Sequence, residues 1–291
     1  MESRSPHSHK SHWNAVFGQY ALVTRPGGGN SDDRPEEILP QAVFDIFYKM
    51  TNKWDPNTVS CDPEGMALFA HAKICMAAIG TRLALPLEWL WRLPLPHNLA
   101  VNHARDALQA NMAIFIQACS AVLNDPTVDI ESLDLCLLDY LVVSSIEHGT
   151  LSEDELVDQM LAFLIASIDA TSNAITTLLN HVAHDLQVEA TLRAELQTAF
   201  PGGKDTITSA DALDQCTYLD WVVKESMREA PFAPAVTRSC VEACTIQRYA
   251  FKVGDTVFAH SAAASQDVDN FGAGETDLDQ SCPDRHAELK C

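Results

Sequence analysis

The 291-residue chain carries 40 Asp and Glu against 19 Lys and Arg, a formal net charge of −21, and is 47% hydrophobic. That length and apolar content allow a sizeable buried core and exclude wholesale disorder. The acidic balance argues against nucleic acid, whose phosphates require a surplus of Lys and Arg, and against a peripheral anchor on anionic lipid.

Residues 1–38 read as a poorly ordered segment, with His7, His9 and His12, a Gly27-Gly28-Gly29 run and a polar cluster at Ser31-Asp32-Asp33-Arg34. The three histidines lack a carboxylate or thiolate at a fixed spacing and read as a solvated tail. From Leu39 the pattern turns helical: Val43, Ile46, Phe47 and Met50 recur at three- and four-residue steps and end near Lys53-Trp54. Further helices are expected over 65–85, 98–123 and 134–147. Ser152 and Glu155 form a capping box for a long helix over 152–184, with Leu156, Met160, Leu164 and Ile168 at i+4 and Leu161 and Ile165 beside them. Apolar positions spread so widely predict that this helix is buried among others at the centre of the domain. Another helix follows over 187–200, and one over 218–229 stops at Pro231. The period then changes to short strands over 236–238, 245–247 and 256–259, separated by turns such as Gly254-Asp255. The fold class is mainly α with a small β region near the carboxyl end.

The most apolar continuous run, 160–167, is short of the roughly 20 residues that cross a bilayer, and 83–95 is interrupted by Pro86, Glu88, Arg92 and Pro94. No membrane span is expected, and the protein reads as soluble. Nine cysteines, an odd number without paired spacing, and a start without an apolar signal core point to reduced thiols in an intracellular, cytoplasmic protein. Cys240 and Cys244 lie four apart in strand-like sequence without a second pair to close a zinc site. His181 and His184 read as helix-end cations.

Four segments, in order, carry a resemblance. They are Ala166-Ser167-Ile168-Asp169-Ala170-Thr171-Ser172 within the long helix, Glu225-Ser226-Met227-Arg228 before Pro231, Ala235-Val236-Thr237-Arg238 ahead of the strands, and Pro283-Asp284-Arg285-His286. Glu-x-x-Arg alone is common on helix surfaces; its place in this order is what counts. Together the segments resemble the haem-thiolate monooxygenases, the cytochrome P450 family, over about 39–288. The resemblance implies a P450-like helical fold, with 39–291 as one shortened domain incomplete at both ends. It implies haem as cofactor, insertion of one oxygen atom into a lipophilic small molecule, and electrons from a separate reductase.

Residue by residue, the resemblance makes Glu225, Arg228 and Arg285 a buried structural salt-bridge unit and Arg238 the partner of a haem propionate. Ala166 opens the helix over the iron, and Asp169 relays protons. Where the family carries Gly and Thr, this chain has Ser167 and Ala170; Thr171 sits one position later, rotated about 100° around the helix. The substrate pocket is expected against Phe163, Ala166 and Thr171. The family's iron ligand is a Cys in a Phe-x-x-Gly-x-x-x-Cys-x-Gly loop after Pro-x-Arg, and its thiolate favours O–O cleavage. Here Cys291 follows Arg285, and Cys282 is the other candidate metal ligand, after Phe271-Gly272-Ala273-Gly274. The Phe-to-Cys interval is longer than the pattern, so the stretch also fits as the lead into Pro283-Asp284-Arg285. Two functions stay open: a haem monooxygenase, impaired as written, or a haem-free remnant that binds a hydrophobic ligand or partner or uses the old pocket for non-oxidative chemistry.

Overall fold

The computed structural model describes residues 35–287 apart from 86, 126, 130–132, 150, 208, 232, 234, 272–277 and 279. The expected tail over 1–34, with His7, His9 and His12, and also Cys291, lie outside the described residues. The chain divides into two compact units between Ser172 and Asn173, within its longest helix.

The first unit is helical: α1 (Pro35–Asn52), α2 (Pro63–Ala84), the single turn α3 (Glu88–Trp91), α4 (Pro96–Leu123), α5 (Leu137–His148) and the first part of α6 (Glu153–His184). Proline opens α1, α2 and α4 at the position where its missing N–H would have had no partner. α1 begins ahead of the apolar pattern at Leu39, with Glu36 and Glu37 in its first turn facing the positive end of the helix dipole. Asp62 caps α2, its carboxylate accepting from the amides of Glu64 and Gly65. Gly65 itself passes against the Pro56 carbonyl, where a Cβ would clash.

The core of this unit joins Phe44, Tyr48 and Phe69 with i+4 stripes from two helices, Leu108-Met112-Ile116 on α4 and Met160-Leu164-Ile168 on α6. The Tyr48 hydroxyl donates to Asn111 Oδ1 at 3.1 Å, and burial pushes its phenol well above the usual range. Two carboxylates tie the helices by polar contacts. Asp45 accepts from the Thr58 amide and hydroxyl at 3.0 and 2.8 Å, fixing the turn after α1; burial outweighs these bonds and raises its pKa. Asp139 is itself pushed up by burial. Lys53 at 2.7 Å, the Cys136 amide and the Cys119 thiol prevail and hold it at about 2.

The capping box forms: Ser152 N and Oγ both donate to Glu155 Oε2 at 2.8 Å. With 32 residues α6 is the longest described element, and it runs unbroken through Ala166–Thr171. Its expected burial over most of its circumference does not occur. Leu156, Val157, Met160, Leu164, Ile168 and Ser172 are buried, whereas Phe163 is 42% exposed and Ala162 and Ala166 are open. The side of the helix carrying Ala162 and Ala166 offers too little apolar area to drive packing, so the Leu/Ile/Met stripe alone decides. Within α4 and α6, an 18-residue window reaches a mean hydropathy of 1.2 and 1.3 respectively, enough by length and composition alone to cross a membrane. Their buried stripes belong to the helical core just described, and the core helices of soluble proteins satisfy the same criterion.

The second unit contains the end of α6, α7 (Leu186–Ala199), α8 (Thr217–Glu229), four strands, the short helices α9 (Ser261–Ser265) and α10 (Val268–Phe271), and a 3₁₀ turn (Pro283–Ala287). Glu195 on α7 caps α8, accepting from the amides of Tyr218 and Leu219 at 2.7 and 2.9 Å. The strands form two nested antiparallel pairs rather than one sheet: β1 (Val236–Ser239) with β4 (Thr256–Ala259), and β2 (Cys244–Ile246) with β3 (Tyr249–Phe251). β3 was not apparent from the sequence pattern. Gly254, at φ 93°, takes the glycine-favouring third position of the 252–255 turn.

Leu164→Ala should lower the free energy of unfolding by about 2–5 kcal/mol. Ala166→Ser, two residues on, should change it by no more than about 0.5 kcal/mol. Urea unfolding of both variants checks the buried stripe, and equal losses would refute it.

Candidate functional site

The densest polar cluster in the second unit is centred on one carboxylate. α8 is stamped by Val222, Glu225 and Ser226, which share one face, and buries them together with Arg228. Glu225 is 1% exposed and Arg228 3%. The Arg228 fork closes on Glu225 in bidentate fashion, Nε to Oε2 and Nη2 to Oε1, both at 3.0 Å. Its remaining N–H groups reach the carbonyls of Ser265 and Leu278 at 3.3 and 3.1 Å. Arg285 arrives from the 3₁₀ turn, its Nε donating to Glu225 Oε1 at 3.0 Å and Nη2 to the Gln280 carbonyl at 3.1 Å.

Sequence reasoning missed three members. His286 Nε2 lies 2.9 Å from Glu225 Oε2, so this nitrogen carries the hydrogen. The Cys282 amide donates to Glu225 Oε1 at 2.9 Å. The Phe271 ring lies 5.9 Å from the Arg228 guanidinium and 6.4 Å from the His286 ring. His286 stood beside Arg285 in the sequence, but only the folding of the turn shows where its ring goes. Glu229, 3.7 Å from Arg228 Nη2, supplies a second negative charge, so two carboxylates face two guanidiniums. Burial tends to raise the Glu225 pKa. The Arg228 hydrogen bonds, the Cys282 amide and the charges of Arg228 and Arg285 prevail and hold it below the usual glutamate value.

The other expected site residues lie apart from this cluster. Ala166, Asp169 and Thr171 are on the exposed side of α6, in the first unit; Ala170 is half-buried. Ser167 and Ser172 turn their hydroxyls back onto the helix, to the carbonyls of Leu164 and Ile168 at 2.9 and 2.6 Å. Arg238 lies exposed on β1, with Nη1 on the Thr237 carbonyl at 2.9 Å. Cys282 is half-buried at the start of the 3₁₀ turn, its carbonyl accepting from the Arg285 amide at 3.2 Å. A cleft of about 300 Å³ lies further along α6 than the expected pocket at Phe163, Ala166 and Thr171. Asn173, Ala174 and Thr177 line one wall, and Ser226, Met227 and Pro231 the other. No group of three metal-ligating side chains is found among the described residues.

A carboxylate on α8 that gathers one arginine from its own helix and a second from the 3₁₀ turn about sixty residues later is the arrangement that the motif order implied. The family description "Cytochrome P450" matches residues 44–275. The chain belongs to the cytochrome P450 family. Among curated P450s it is 37% identical over 93 residues to cytochrome P450 3A29 of Sus scrofa, covering 32% of this chain and 18% of that protein. It is 24% identical over 222 residues to probable cytochrome P450 4aa1 of Drosophila melanogaster, covering 76% of this chain and 42% of that one. Among solved P450 structures, CYP102L1 superposes with a TM-score of 0.74 at 21% identity, covering 97% of this chain and 62% of its own. Retinoic acid-bound cyanobacterial CYP120A1 gives 0.70 at 19%, covering 97% of this chain and 58% of its own. The chain therefore spans less than half the length of these curated P450s, while the likeness to the solved P450s establishes the fold.

The family implies haem, and the residues present match part of that group. The exposed Arg238 guanidinium is a group of the kind that pairs with a propionate. The Cys282 main chain is engaged on both sides, its amide on Glu225 and its carbonyl on the Arg285 amide.

Glu225→Ala should destabilise the protein by about 3–5 kcal/mol, because two buried guanidiniums lose their counter-ion. Because the folded pKa of Glu225 is depressed, its contribution is present above the ordinary glutamate value of 4.5 and is lost as pH falls through the folded value. Unfolding free energies measured down the acid limb should therefore fall less steeply for Glu225→Gln than for the parent. An unchanged slope would show that Glu225 does not carry this linkage.

Proposed function

We propose that the protein serves haem-dependent oxidation of a lipophilic small molecule, with the described residues supplying scaffold and positioning. The observation that carries this reading is the buried Glu225–Arg228–Arg285 unit, found in a chain of the P450 family. When bound with a thiolate ligand, haem activates dioxygen so that one oxygen atom enters a carbon–hydrogen bond, with electrons delivered by a separate reductase. In this reading Arg238 neutralises a propionate, and Ala166 leaves room beside the ring. Asp169 would pass protons toward the site, with Thr171 two residues on as a hydroxyl-bearing residue of the same helix. Glu225, Arg228 and Arg285 are structural and touch no substrate.

The 291 residues as written are impaired in this chemistry. Ala170 has no hydroxyl to hand on a proton, and in this reading the anchoring of the Cys282 main chain by Glu225 and Arg285 counts against its thiolate as the iron ligand. The buried stripes of α4 and α6 and the unpaired cysteines favour a soluble, intracellular protein.

A second reading, ligand binding without haem, is favoured by the cleft between α6 and α8. Its roughly 300 Å³ lies at the lower end of small-molecule sites. Ala174, Met227 and Pro231 would hold the apolar part of a small ligand there, with the Ser226 hydroxyl beside it.

The reduced, carbon-monoxide-bound absorption spectrum of the purified 291-residue chain, reconstituted with haem, tests the assignment. No Soret band of thiolate type is expected. A stoichiometric complex with that band, abolished by Cys282→Ala, would overturn the placement of Cys282.

A further inference from the structure

Cys240 and Cys244 are used by neither reading, yet their sulfurs lie 3.9 Å apart. Both are held by main-chain ladders rather than by a loose loop. The Cys240 amide donates to the Asp255 carbonyl at 2.8 Å, and its carbonyl accepts from the Gly254 amide at 2.8 Å, which extends the β1–β4 pairing by one residue. Cys244 opens β2, opposite Phe251. Val241, Glu242 and Ala243 form the connection, with Val241 88% exposed. Cys240 is half-buried and donates to the Glu242 carbonyl at 2.9 Å; Cys244 is exposed. Closing the gap to a disulfide requires the sulfurs to approach by about 1.9 Å, which rotation of the exposed Cys244 side chain between staggered positions can supply. Partial desolvation, the hydrogen bond to Cys240 and repulsion from a Cys240 thiolate all raise the Cys244 thiol, so the pair gives up one proton more readily than two.

We propose that Cys240 and Cys244 form a reversible dithiol–disulfide site, oxidised by a low-molecular-weight disulfide of the glutathione type. One thiolate of the pair attacks a sulfur of the small disulfide, forming a mixed disulfide and expelling one small thiolate. The second cysteine, as thiolate, then attacks the protein-bound sulfur of that mixed disulfide. The Cys240–Cys244 bond forms and the second small thiolate leaves. The two protein thiols lose two electrons and two protons; the small disulfide gains the electrons, and both protons end on the released thiols. The bond closes the 240–244 connection and locks the end of β1, two residues from Arg238. This inference does not depend on haem.

The full chain is equilibrated with mixtures of glutathione and glutathione disulfide, quenched by alkylation and peptide-mapped. The peptide containing Cys240 and Cys244 should become lighter by two hydrogens and retain no glutathione. In Cys244→Ser, Cys240 should instead keep a glutathione adduct. Recovery of both cysteines as thiols, or as separate adducts, in every mixture up to pure glutathione disulfide would overturn the proposal. Phenylarsine oxide, which needs two adjacent thiols, provides a second measurement on the reduced protein. It should protect both cysteines from alkylation and bind about tenfold or more less tightly to either single Ser variant, since one arm of the chelate is lost. Failure to protect the pair would equally refute it.

Discussion

The second unit is organised by the Glu225 carboxylate, whose two oxygens accept from two guanidiniums, an imidazole and a main-chain amide. A charge buried to this degree is tolerable only when every lone pair is engaged and the net charge is close to neutral. Arg228 and Glu229 lie on the same helix as Glu225, whereas Arg285, His286 and Cys282 come from a turn that starts more than fifty residues later. The carbonyls of Ser265, Leu278 and Gln280 each accept a further guanidinium hydrogen. One ion cluster thus gathers α8, α9 and the 3₁₀ turn, segments that have little apolar surface of their own.

The two units therefore rest on different physics. The first is held by aromatic and aliphatic packing along i+4 stripes, with Asp45 and Asp139 as local ties. Among the described residues of the second, few apolar side chains are buried: Val188, Cys216, Val222 and Pro283. Its strands are short and exposed, with Phe258 at 69% and Tyr249 at 55%. A two-stranded pair is marginal on its own, so backbone ladders and the charge cluster do work that a hydrophobic face does elsewhere.

The salt-bridge unit is a support that holds its elements in place without reacting, and its presence accounts for the fold. At the positions that the resemblance singles out, the chain has Ala170 and Ser167 on α6, and Cys282 with its main chain bonded to Glu225 and Arg285. The exposed side of α6 carries Ala162, Phe163, Ala166, Asp169 and Thr171, whereas Ser167 and Ala170 are half-buried.

Helix periods and stops were legible in the sequence because they depend on contacts three and four residues apart. The capping box at Ser152, the end of α8 before Pro231 and the strand over 256–259 all stand where local chemistry puts them. The order of Glu-x-x-Arg and Pro-x-Arg likewise carried the family and the fold. Tertiary structure alone decided the rest. β3 is too short to show a period of two. The width of the buried stripe on α6 depends on what packs against it, and the cleft depends on two helices meeting. His286 and the Cys282 amide join Glu225 across about sixty residues of sequence, and the Cys240 and Cys244 sulfurs meet because two hairpin ladders nest. Local propensity is a property of neighbours along the chain, whereas a buried charge selects its partners only after the chain has brought them within reach.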